Sequence, residues 1–168
     1  MIRVRPTRGT DIGRLEAVER SAATLFRALP YLAWIADDHV AGPDTHRTAV
    51  AQGLSWVAVD AADQPIGFLI AAEADADLHI LELSVSTEHQ GRGAGRALMA
   101  AARHAAEARA NQALTLTTFS TVPWNAPFYA RLGYAALTFA ETPAYLRETL
   151  AAEAAHGLTG RVAMRLTL

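Results

Sequence analysis

The run Gln90-Gly91-Arg92-Gly93-Ala94-Gly95-Arg96-Ala97 joins a short apolar stretch to a long alanine-rich one, and it restricts the fold more than any other segment. Glycines at 91, 93 and 95 remove the Cβ atoms that would hold a ligand off the backbone. A helix starting behind them aims its unpaired N–H groups at the same point. A helix N-terminus carries about half a unit of positive charge, so the arrangement is a cradle for a phosphate or pyrophosphate. A plain strand-to-helix turn would need fewer glycines.

The flanking segments make this loop the first half of a βαβ unit. Leu78 to Ser86 reads as a strand, and Arg92 to Arg109 places Ala94, Leu98, Ala101, Ala105 and Ala108 at helical spacing. Ala113 to Thr118 is β-branched and apolar, which predicts a strand parallel to the first, reached by a right-handed crossover. Upstream, Ile2 to Arg5 alternates as an edge strand does, and Thr10-Asp11 caps a predicted helix reaching about Leu25. Leu29-Pro30 interrupts it, and two short helical stretches follow at Tyr31 to Ala36 and Asp44 to Gln52. Ser55 to Asp60 and Ile66 to Glu73 form a hairpin around Asp63-Gln64-Pro65. Downstream, Trp124 to Leu132 is a short helix stopped by Gly133, Ala144 to Ala155 is helical in composition, and Tyr134 to Phe139 and Arg161 to Leu168 are strands.

The 168 residues fit one domain spanning 1–168, without a repeat or an internal boundary. No apolar run approaches the roughly 18 residues that cross a bilayer, and the first residues lack the apolar core of an export signal, so no membrane is expected and the cytoplasm is the default. A net charge of -2 argues against an electrostatic grip on nucleic acid. Without cysteine there is no disulfide, thiolate metal site or thiol nucleophile in the chain. His39, His46, His89, His104 and His156 show no paired spacing, so no metal is expected and these histidines read as surface residues. Trp34 and Trp56 read as core or wall residues.

Three glycine-loop chemistries compete for residues 90–97. A Walker loop needs a lysine, and the chain has none. A dinucleotide fingerprint wants another glycine spacing. The pattern Q/R-x-x-G-x-G/A is met by Gln90, Gly93 and Gly95, with Val85 five residues before the glutamine. Through this pattern Leu78 to Ala102 resembles the acyl-CoA-binding motif of the GNAT superfamily, the acyl-CoA-dependent N-acyltransferases. Asn125, Phe128, Tyr129, Leu132, Gly133 and Tyr134 resemble that superfamily's later Asn, Tyr and Gly-Phe segment, with Tyr134 in place of the usual Phe.

The resemblance implies an α/β fold: one GNAT-like domain with a mixed six- to seven-stranded sheet flanked by helices and splayed between its two central parallel strands. It implies that acetyl-CoA is the co-substrate and that an acetyl group passes to a primary amine by direct attack in a ternary complex. The backbone of Gln90, Gly91, Arg92, Gly93, Ala94, Gly95 and Arg96 would take the pyrophosphate, with Arg92 or Arg96 adding a charged fork. Leu83 and Val85 would bond the pantetheine arm through backbone groups, and Asn125 and Phe128 would also lie along the cofactor. Asn125 has an equal reading as a helix cap.

Tyr129 matches the motif tyrosine and is the expected general acid, since a phenol near pKa 10 can protonate a departing thiolate of similar basicity. Its rival reading is a packed core aromatic. Glu82, mid-strand among apolar residues, is the expected general base, with His79, Glu73 and Tyr31 in reserve. The acceptor is read as a small amine, an amino acid, a peptide N-terminus or an aminoglycoside. Edge strands and exposed apolar surface suggest a homodimer. The alternative readings are a non-catalytic acyl-CoA sensor or assembly subunit and, more remotely, a nucleotide-binding regulator.

Overall fold

A computed structural model describes residues 2–168. Seven strands form one mixed sheet in the order β1-β2-β3-β4-β5-β7-β6: β1 Arg3–Pro6, β2 Ser55–Val59, β3 Pro65–Ala74, β4 Asp77–Val85, β5 Ala113–Phe119, β6 Ala135–Ala136 and β7 Arg161–Thr167. Among the described residues five α-helices accompany it: α1 Ile12–Ala23, α2 Pro43–Ala51, α3 Ala94–Ala108, α4 Ala126–Ala130 and α5 Ala144–Ala155. The chain divides into two compact units, 1–72 with 80–105 and 73–79 with 106–168, so β4 contributes its start to one and its remainder to the other.

In the first unit β1, β2 and β3 pair antiparallel. Leu15 and Val18 of α1 and Ala49 of α2 close over Val57, Val59, Phe68 and Ile70, all buried. The hairpin tip at Asp63 takes the left-handed conformation, and its carboxylate gathers Arg3, Arg5 and Arg8. Arg5 also forks onto buried Asp11 at 2.7 and 3.1 Å. Gly67 lies so close to its neighbours that a Cβ would stand 3.0 Å from the Ser84 carbonyl and 3.1 Å from Val85 Cγ2. Only a residue without a side chain lets the backbones approach this far.

In the second unit β5 pairs antiparallel with β7 along its whole length, and α5 packs on both strands. β4 and β5 are parallel, as the crossover predicts, but two pairs register, Leu78 with Leu114 and His79 with Thr115. The ladder ends at that pair.

Several expectations need correction. Tyr31 to Ala36 is not an α-helix; a 3-10 turn covers Ala33–Asp37, and another, Thr24–Ala28, continues α1 up to Leu29. The strand expected over Tyr134 to Phe139 shrinks to Ala135–Ala136. Thr138 N and Oγ1 both donate to Glu141 Oε2 at 2.8 Å and Thr142 Oγ1 donates to the Thr138 carbonyl, so a local turn captures the groups a strand would need. His46 is buried rather than superficial: it shares the inward face of α2 with Ala49 and meets Phe68 edge to face at 5.0 Å. Trp56 is buried in β2 whereas Trp34 is exposed.

Candidate active site

The expected cofactor residues divide between the units. Glu82, Leu83, Val85 and the loop 90–96 lie on the first; Asn125, Phe128 and Tyr129 lie on the second. On the first unit, a short 3-10 turn Thr87–His89 carries the chain from β4 into the glycine loop. Gly91 and Gly93 have φ of +72° and +90°, a region closed to most side chains, and a Cβ at either would meet nothing within 4 Å. These glycines therefore answer to backbone conformation and to open space, not to internal packing. The Gly93 carbonyl accepts from Ala97 N at 3.0 Å, the first bond of α3, which leaves the N–H groups of Ala94, Gly95 and Arg96 without acceptors in the helix. Arg92 and Arg96 are exposed beside them.

The Gln90 side chain ties the loop to the strand before it. Its Nε2 donates to the Val85 carbonyl at 2.8 Å, so side chain and strand end are tied together, and one of the Val85 backbone groups expected to await the arm already has a partner. The Ser86 N–H is likewise taken, by the Ile66 carbonyl at 2.9 Å.

Glu82 is half-buried and accepts from Ser84 Oγ at 2.8 Å. Sequence reasoning missed its neighbour Glu19. Leu15, Val18 and Glu19 occupy i, i+3 and i+4 of α1, so a carboxyl sits in the stripe that faces the sheet. Its Oε2 accepts from Ala41 N at 2.9 Å. Burial first, and the Glu82 charge second, push Glu19 up to about 8. An acidic residue at i+4 from a buried leucine was the signal available.

On the second unit, α4 begins at Asn125, whose carbonyl accepts from Phe128 N and Tyr129 N at 2.8 and 3.2 Å. The Asn125 side chain makes no capping bond, which removes the rival reading of that residue as a side-chain cap. The helix is shorter than the expected Trp124 to Leu132 and is capped at Arg131, while Gly133, at φ +95°, closes the turn that follows. Tyr129 is half-buried, edge to face with Phe128 at 5.1 Å and with buried Tyr134 at 6.0 Å.

The same unit holds a polar cluster that the sequence did not reveal as a cluster. His79 Nδ1 lies 3.0 Å from Thr115 Oγ1, Thr115 Oγ1 lies 2.8 Å from Tyr145 Oη, and Tyr145 Oη donates to Asp77 Oδ2 at 3.1 Å. Arg165 Nη1 reaches the same Oδ2 at 3.4 Å. Burial pushes the Tyr145 phenol up to about 12. Glu73, a reserve base, is instead bound by Arg109 and Asn111. Tyr31 is exposed. Among the described residues no group of three His, Cys, Asp or Glu is placed to hold a metal ion, and no helix is long and apolar enough to cross a membrane.

Residues 51–136 match the family model for the acetyltransferase (GNAT) domain, just over half of the chain. The chain therefore belongs to the GNAT acetyltransferase family. Among solved structures it is similar to the PaiA N-acetyltransferase of Thermoplasma acidophilum in complex with coenzyme A, at 16% identity and a TM-score of 0.72, over 100% of this chain and 99% of that one. The N-acetylglutamate synthase of Neisseria gonorrhoeae, complexed with coenzyme A and N-acetyl-glutamate, gives 16% and 0.73 over 100% of this chain and 35% of that much longer one. An IAA acetyltransferase from Bacillus cereus gives 17% and 0.61 over the full length of both. At these identities the likeness is one of fold. Family and fold together support an acyltransferase that uses coenzyme A chemistry.

Proposed function

We propose that residues 1–168 act as one N-acetyltransferase domain that moves the acetyl group of acetyl-CoA to a primary amine. The observation that carries this reading is the pair of positive-φ glycines, Gly91 and Gly93, with open space over both, at the start of a helix with three N–H groups to offer. Open space over the two glycines and the free N–H groups of the helix start suit a diphosphate. Gln90, Gly91, Arg92, Gly93, Ala94, Gly95 and Arg96 are its proposed holders, with Leu83, Val85, Asn125 and Phe128 along the arm.

The amine nitrogen attacks the thioester carbonyl, a C–N bond forms, and the C–S bond breaks. Glu82 first takes a proton from the ammonium to free the nitrogen lone pair, Tyr129 gives its proton to the leaving thiolate, and the second proton that the nitrogen loses restores the Tyr129 phenol. The acceptor is a small amine, an amino acid, a peptide N-terminus or an aminoglycoside, and the protein works in the cytoplasm, as a homodimer or alone. Incubation with acetyl-CoA and a panel of such amines, with free thiol as readout, tests the reading. Release of CoA with one amine supports it. A shift in melting temperature with acetyl-CoA but no thiol from any amine would make the protein a sensor instead.

A further inference from the structure

Both ends of the glycine loop bear on a residue of β3 that lies outside the loop. Gly67 is buried, and a Cβ there would stand 3.0 Å from the Ser84 carbonyl and 3.1 Å from Val85 Cγ2, at the end of β4, and 3.4 Å from Leu98 Cδ1, early in α3. The first two separations are tighter than ordinary side-chain packing, and the third is at its edge. A glycine between Ile66 and Phe68, in a strand otherwise made of apolar side chains, weakens that strand and marks a place where another backbone comes close.

The surroundings decide which partner would yield to a side chain at 67. Phe68 and Ile70 are buried in the cluster formed with Leu15, Val18 and Ala49 of α1 and α2. By alternation along the strand, Gly67 faces the other way, toward α3. Gly67 is also registered with Ala58 of β2, so β3 is held from behind and from one side. The Ile66 carbonyl accepts from Ser86 N at 2.9 Å, so a push on Ser84 and Val85 tilts the end of β4 rather than moving it off whole.

The strain would therefore reach the two anchors of the loop. On the strand side, Gln90 Nε2 donates to the Val85 carbonyl at 2.8 Å. On the helix side, Ala97 N donates to the Gly93 carbonyl at 3.0 Å, one residue before Leu98.

We propose that Gly67 is a positioning residue of the cofactor site: its missing side chain sets the spacing of Val85 and Leu98, and with it the shape of the loop 90–96 that receives the diphosphate. This rests on the acetyltransferase reading above. Gly67 touches no reacting atom. It acts through the two anchors, because the N–H groups of Ala94, Gly95 and Arg96 converge on one ligand only while those anchors keep their distance. Hydrogen bonds weaken steeply with misalignment, so a shift of a few tenths of an ångström at the anchors is felt by the ligand.

Titration calorimetry with coenzyme A tests the proposal on wild type, Gly67→Ala and Phe68→Leu, each at a temperature where it is fully folded. Gly67→Ala should bind CoA about tenfold more weakly. Phe68→Leu, on the other face of the same strand, should lower Tm at least as much and leave CoA affinity within about twofold. Wild-type affinity in Gly67→Ala, or an equal loss in Phe68→Leu, overturns the proposal. Should Gly67→Ala fail to fold, Gly67→Ala combined with Leu98→Val relieves the helix side and leaves the strand side crowded. That double variant should still bind CoA several-fold more weakly, and wild-type affinity in it overturns the proposal.

NMR of the CoA-free protein gives a readout independent of the ligand. The Gln90 side-chain amide signal, assigned by its loss in Gln90→Glu, should shift in Gly67→Ala toward the position of an unbonded glutamine. An unshifted signal overturns the proposal. Wild-type protein that binds no CoA overturns the acetyltransferase reading, and the Gln90 signal then judges by itself whether Gly67 shapes the loop.

Discussion

Glu19 of α1 keeps its proton up to about pH 8 because it is withdrawn from water and lies in the field of Glu82 on β4. Two carboxyls that oppose each other's ionisation take up protons as a pair. Glu82, the proposed base, is thereby linked to a helix that also meets the end of its strand, where Ser21 Oγ accepts from Thr87 N at 3.1 Å.

The pair sets a pH dependence of stability. The folded value of Glu19 is raised above the unfolded one, so its contribution is complete below about pH 4.5 and is lost as pH rises through about 8. Wild-type Tm should therefore fall between pH 5 and pH 8.5 relative to Glu19→Gln, by several degrees, or about 1 kcal/mol once solvent screening is allowed for. Glu82→Gln should move that fall to lower pH. Parallel curves for wild type and Glu19→Gln in calorimetry would show that the coupling is absent.

Gly93→Val places a branched side chain at φ +90° and fills open space over the loop. The strain is expected to cost about 1–2 kcal/mol of stability. Affinity for CoA should fall at least 100-fold, read by titration calorimetry. Normal CoA binding by this variant would remove the cradle from the mechanism.

Tyr129→Phe keeps the ring contacts with Phe128 and Tyr134 and deletes one hydroxyl. Turnover should drop about 100-fold while acetyl-CoA affinity stays within about twofold. Unchanged kcat would leave Tyr129 a packing residue, its rival reading.

His46 is buried with both ring nitrogens unpartnered, and burial pushes its pKa down. The folded state refuses a proton that the unfolded chain accepts near pH 6.5, so stability is lost as pH falls below that value. His46→Leu should be within about 1 kcal/mol of wild type at pH 7.5 and more stable than wild type at pH 5. Chemical denaturation at the two pH values gives the comparison, and a variant weaker at both would mean that the imidazole is satisfied in solution.

The elements that could be read from the sequence are those whose signal is local. Ala144–Ala155 is helical by composition alone, and β-branched Ala113–Phe119 together with the helix before it required a parallel strand. Tyr134 to Phe139 looked equally strand-like, but its pairing was decided by Thr138, Glu141 and Thr142, side chains that bond to one another only once the turn exists. The glycine loop was legible because a missing Cβ is itself written in the sequence. Glu19 and Tyr145 were not recognised, for opposite reasons. Glu19 was visible as a misplaced charge on α1, whereas the meaning of Tyr145 depends on Thr115 and Asp77, 30 and 68 positions away.

The amide of Gln90 fastened to the Val85 carbonyl gives the glycine loop a fixed hinge pin. Whatever docks there meets a receptor whose entropy of ordering was spent during folding, so little of the binding energy goes into shaping it. It also makes the glutamine a mechanical coupling: strand and loop must shift together, and a guest pulling on one is felt by the other.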